Sequence, residues 1–204
     1  MLPALRGHFG RIELVEPSQS MMDLLRLTVG SSDSAVHIHV AHVEDIPLQS
    51  NSVDVALAKS SLHHFADRDR AIREMARISA NAIAVLEVVS PDPSCLEFAR
   101  ELVLQKEPGR DPSTIYSEQD LVSVMQPYCT DCSVLHFDQY IDVNVWLECS
   151  DLHQSQVQAL LALVKSQRGS VRQKMQIQYR SGHLIQLRRL ALVIGSTPDS
   201  PDRE

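Results

Sequence analysis

Glycine is scarce in this chain: there are seven among 204 residues, and no two have the G-x-G spacing of a glycine-rich nucleotide loop. Such loops need glycine because the backbone must come close to the ligand. The nearest approach, Gly7-His8-Phe9-Gly10, is too short a motif to form one. Cysteine is sparse too. Cys95, Cys129, Cys132 and Cys149 are too few and too scattered for a disulfide framework, so reduced thiols are expected. Cys129-Thr130-Asp131-Cys132 has no second C-x-x-C to complete a zinc site and reads as a pair of structural cysteines. Basic residues are outnumbered 19 to 26 by acidic ones, for a formal charge of −7, which argues against a nucleic-acid-binding surface. Long apolar runs are missing as well. The longest, residues 82–89 with Glu87 inside and residues 190–194, fall far below the roughly 20 residues of a membrane-crossing helix. Met1-Leu2-Pro3 does not begin a signal peptide. A cytoplasmic protein with neither nucleic-acid nor membrane partners is the expectation.

What the chain does have is alternation of strand and helix patterns over a length suited to one core. Residues 11–16 read as a strand stopped by Pro17, and Ser20 to Asp23 as a capping box opening a helix with Met21, Leu24, Leu25 and Thr28 inward. In residues 35–40, Val36, Ile38 and Val40 alternate with His37 and His39, the pattern of a half-buried strand. Residues 53–58 and 82–89 are nearly continuous apolar runs, as expected of parallel strands covered by helices on both faces. A helix from Asp67 lies between them, with Ala71, Ile72, Met75 and Ala76 inward. This order predicts an α/β fold with a Rossmann-like, doubly wound, mostly parallel sheet. One domain over residues 1–195 is expected, followed by a disordered polar tail, residues 196–204. Near the end, residues 175–179 are expected to pair with residues 184–194 across Ser181-Gly182.

The most specific signal runs from Val40 to Ile78. It contains Glu44-Asp45-Ile46-Pro47, then Ser52-Val53-Asp54-Val55, then Leu62-His63-His64-Phe65, followed by the helix from Asp67. In order and spacing this segment resembles the centre of class I S-adenosylmethionine-dependent methyltransferases, in the small-molecule branch called type 11. The resemblance implies S-adenosylmethionine as cofactor, a small-molecule methyl acceptor and a cofactor crevice at the carboxyl ends of the strands. By that resemblance Glu16, followed by Pro17, takes the place of the carboxylate that accepts from both ribose hydroxyls. His42 and Val43 fall where the adenine is held, with Val43 contributing its backbone. Glu44 lies at the mouth, and Lys59 where the loop passes under the methionyl part. His63 and His64 sit beside the reaction centre, and their near-neutral titration suits a base. Tyr116, Tyr140 and Trp146 are candidates to line the acceptor pocket, which the resemblance builds from residues 91–179. His37-x-His39-x-x-His42 echoes a hydrolase metal motif, but Ala41 stands where its aspartate belongs, and no metal site is expected.

The family's first strand and its glycine loop have no counterpart. That strand lies centrally in the family's sheet, between the strands represented by residues 11–16 and 53–58. Its absence would leave two inner edges with unpaired backbone groups. Three outcomes follow: a truncated reading frame, a strand supplied by another chain in a homo- or hetero-oligomer, or direct pairing of the two inner strands. A non-catalytic methyltransferase-like subunit that binds a partner is the alternative function.

Overall fold

The computed structural model describes residues 5, 7–29, 35–150 and 152–198. Its strands form two sheets. The smaller pairs β1 (Ile12–Val15) with β2 (Val36–His39) in parallel. The larger is built on β3 (Val53–Lys59), β4 (Ser79–Ser90), β8 (His183–Ser196) and β6 (Cys132–Asp142), in the order β3-β4-β8-β6. Short β5 (Tyr116–Ser117) joins β4 and short β7 (Gln178–Arg180) joins β8. Pairing is parallel for β3-β4 and β4-β5 and antiparallel wherever β8 takes part, so the doubly wound sheet is mixed. The β7-β8 hairpin forms across Ser181-Gly182, both at positive φ, as a two-residue turn requires.

The two inner strands do not pair with each other. β1 and β3 belong to different sheets, which removes direct pairing from the three outcomes. Each therefore keeps an edge with no strand beside it among the described residues.

In-register partners share a sheet face, so the faces can be read from the pairing. Ala56, Ala58, Ile83, Val85 and Val193 fall on one face and are buried against α2 (Arg68–Ile78) and α4 (Glu118–Met125), through Ile72, Met75, Leu121 and Met125. Asp67 caps α2 by accepting from the Arg70 amide at 3.0 Å, as its sequence position foretold. The opposite face differs. Val55 and Leu57 on β3 are 44% and 42% exposed, and Leu135 and Phe137 on β6 are 51% and 50% exposed. The expectation of helices on both faces of residues 53–58 therefore fails on one. Near β6 and β8 a second core forms from α3 (Pro93–Lys106), α5 (Val143–Glu148), α6 (Gln154–Ser166) and α7 (Gly169–Lys174), around Phe98, Leu102, Leu147, Leu160 and Leu184.

Two local readings are also corrected. α1 spans Gln19–Val29, and Ser18, not Ser20, presents its hydroxyl to an early amide, that of Met21 at 3.4 Å. Starting two residues earlier turns Met22 inward at 0% exposure and leaves Met21 and Leu24 exposed. Ser196 and Thr197, assigned from the sequence to the polar tail, belong to the fold: β8 runs to Ser196 and Thr197 is buried, its amide bonded to the Asn81 carbonyl at 3.0 Å. Residues 199–204 lie outside the described residues. All four cysteines are free thiols. Burial, then the neighbouring Cys132, raises the Cys129 pKa to about 12, in keeping with a structural role. Gly195 makes room for it, since a Cβ there would lie 2.1 Å from the Cys129 sulfur.

Candidate active site

The carboxyl ends of β3 and β4 converge on one crevice. β3 ends at Lys59, and Ser60 then turns with φ +50, a left-handed conformation in which a residue other than glycine is strained. Its amide donates to the Leu86 carbonyl at 2.7 Å, tying the turn to β4. The next residues, Leu62–His64, form a single 3₁₀ turn, and Leu62 is buried beneath it. Glu87 of β4 explains why this turn sits where it does. Its carboxylate, 3% exposed, accepts from the Leu62 amide at 2.8 Å and lies 3.3 Å from His63 Nδ1. A buried carboxylate needs such donors, and in return it fixes the imidazole's orientation. The pairing of Glu87 with His63 across 24 residues carries no local sequence signal.

The two histidines are not equivalent. Their ring centres are 4.0 Å apart. His64 is the more exposed and lines a neighbouring cavity with Arg110 and Arg68. Burial of its ring, reinforced by His63 and Arg110, lowers its pKa. His63 is the one that reaches both Glu87 and the main cavity.

That cavity, about 540 Å³, is lined by Lys59, Ser60, His63, Glu87, Trp146 and Arg188 among others. Of the three aromatic candidates only Trp146 lines it. Tyr116 is 2% exposed inside the core, and Tyr140 is 55% exposed with its hydroxyl bonded to Gln176. The Lys59 side chain makes no hydrogen bond or ion pair among the described residues.

The remaining predicted residues sit on the β1-β2 side. Glu16 follows β1, and one carboxylate oxygen accepts from the Ser18 amide at 2.9 Å. Its other oxygen has no partner among the described residues. Pro17 beside it is exposed. His42 is exposed, and Val43 packs partly buried against the core. Glu44 is committed elsewhere: its carboxylate accepts from the amides of Ala66 and Asp67 at 2.9 and 3.2 Å, anchoring the segment between the 3₁₀ turn and α2. The Glu44-Asp45-Ile46-Pro47 turn is held from α2 in its turn. Arg77 donates to the carbonyls of Ile46 and Leu48 at 3.0 and 2.8 Å, while Glu74 accepts from the Ile46 amide at 3.2 Å. His39 does not face a metal position; its Nε2 lies 2.6 Å from the Glu13 carboxylate.

The family model for a methyltransferase domain matches residues 1–82. The match covers both strands of the small sheet, β3, the histidine turn and α2. Solved structures extend the fold across the rest of the chain. The YcgJ protein from Bacillus subtilis superposes with a TM-score of 0.83 at 14% identity, covering 98% of this chain and 87% of that one. A putative methyltransferase from Bacillus halodurans gives 0.75 at 13% identity, over 93% and 82% of the two chains. Geranyl diphosphate C-methyltransferase from Streptomyces coelicolor, solved with Mg2+, geranyl diphosphate and S-adenosyl-L-homocysteine, gives 0.56 at 15% identity, over 97% and 66%. No curated protein matches the sequence. The Rossmann-like methyltransferase fold expected from the sequence is thereby shown.

Proposed function

We propose that this chain is an S-adenosylmethionine-dependent methyltransferase acting on a small molecule. The observation that carries the proposal is the His63-Glu87 pair, held at the wall of the cavity by the turn that follows β3. The free oxygen of Glu16 suits a ribose hydroxyl, and Val43, which makes no hydrogen bond among the described residues, offers its amide to an adenine ring. No glycine cradle for an amino-acid group is present among the described residues, so these residues fit the nucleoside half of the cofactor. When bound, S-adenosylmethionine supplies a methyl group on a positively charged sulfur.

The chain's own residues would do the rest. The cavity walls orient the acceptor, an effect that can reach roughly 7–11 kcal/mol. His63 takes the acceptor's proton on Nε2 while Glu87 stabilises the resulting imidazolium at Nδ1. Replacing His63 by Ala should lower the formation of S-adenosylhomocysteine by roughly 10²–10⁴-fold with an acceptor that must lose a proton, leaving cofactor affinity unchanged. Full turnover by that variant would remove His63 from the mechanism.

A second reading has its own support. The free edges of β1 and β3, together with exposed Val55, Leu57, Leu135 and Phe137, favour a subunit that binds a partner polypeptide through its sheet. The two readings are compatible if the partner completes the crevice.

A further inference from the structure

The cavity holds a cation that the proposed chemistry does not use. Arg188 lies on β8 with its side chain in the wall, and its guanidinium carbon is 4.1 Å from the centre of the Trp146 ring. It has no hydrogen bond and no ion pair among the described residues. The surrounding positions on its sheet face are uncharged: Gln186 and Leu190 along β8, and Gln139 opposite on β6. Other charged residues of the cavity are already matched. Arg110 pairs with Glu107, Lys174 with Asp92 and Arg189 with Asp138, while Glu87 is taken up by Leu62 and His63. Only Lys59 and Arg188 remain uncompensated. Lys59 is exposed, whereas Arg188 is half-buried, and desolvation lowers its pKa to about 10. Its guanidinium donors have no protein partner among the described residues and open on the cavity, where an anionic group would complete them. Stacking on the indole holds the guanidinium in place without using its N–H donors.

We propose that the cavity's ligand is an organic carboxylate with an apolar body, its carboxylate bound in a two-point fork by Arg188 beside Trp146. The planar guanidinium presents paired N–H groups that match two carboxylate oxygens. Val88, Leu190, Phe137 and Leu102 supply an apolar wall for the remainder. β4 separates β3 from β8, so Arg188 stands about 10 Å across the sheet from the strand that leads to His63. An acceptor anchored on Arg188 would need a reactive group at that reach. Reading this carboxylate as the methyl acceptor rests on the methyltransferase assignment; the anion site itself does not.

The test uses the full chain and two probes, 2-naphthoate and its neutral counterpart 2-naphthamide, titrated calorimetrically with and without S-adenosylhomocysteine. The acid should bind at least ten-fold more tightly than the amide. Arg188→Met should abolish that preference, Arg188→Lys should keep part of it, and Lys59→Met should leave it in place. Equal binding of acid and amide, binding of neither, or a preference that survives Arg188→Met or vanishes in Lys59→Met would overturn the proposal. S-adenosylhomocysteine affinity is measured in the same series. If it is absent while the Arg188-dependent preference holds, the anion site stands and its occupant is not a methyl acceptor.

Discussion

Glu87 is the residue on which the site's geometry turns. It is buried, yet it accepts from the Leu62 amide and faces His63, so one carboxylate both closes the backbone turn and orients the imidazole. Removing it by Glu87→Ala leaves the Leu62 amide without its acceptor. The expected cost is about 1–3 kcal/mol of stability, measured by urea unfolding. Stability equal to wild type would mean that the turn is held by something else. Glu16, His63 and His64 could be nominated from the sequence because each lies just after a strand in a recognisable motif. Glu87 and Arg188 could not be given their roles, since their partners, His63 and Trp146, are distant along the chain and meet only through the sheet. Glu44 shows the converse: its motif points to the cofactor mouth, but its oxygens are occupied by the Ala66 and Asp67 amides.

At the level of elements, α2 supports the site from behind. Glu74 and Arg77, one turn apart, pair with each other and hold the turn after β2 through Ile46 and Leu48. The hydrogen bond from Arg77 keeps the Glu74 carboxyl below its ordinary value of 4.5. Because the folded chain binds this proton less readily than the unfolded one, the contribution is complete above that value and is lost as pH falls through the folded pKa. Glu74→Gln should therefore be less stable than wild type near neutrality, with the gap closing below about pH 4.5. An undiminished gap at about pH 3 would contradict this account. Elements with a clear period were legible in the sequence, among them β1, β2, α2 and the β7-β8 hairpin. The face of α1 was not, because moving its cap from Ser20 to Ser18 exchanges Met21 for Met22 in the core. Nor does a continuous apolar run such as that in β3 reveal whether one face or both will be covered.

For the molecule as a whole, the defining feature is the separation of β1-β2 from the larger sheet. Two strand edges and the exposed side chains of Val55, Leu57, Leu135 and Phe137 are left in one molecule. Surfaces of this kind drive association. Sedimentation velocity should show self-association at micromolar concentration that weakens in Leu57→Lys; a strictly monomeric wild type would contradict it. Calorimetric titration with S-adenosylhomocysteine tests the cofactor crevice most directly. Saturable one-site binding, weakened at least ten-fold by Glu16→Ala in a variant that remains folded, is the expected result. Binding that is unchanged in Glu16→Ala, or none by the wild-type chain, would contradict the assignment of this crevice.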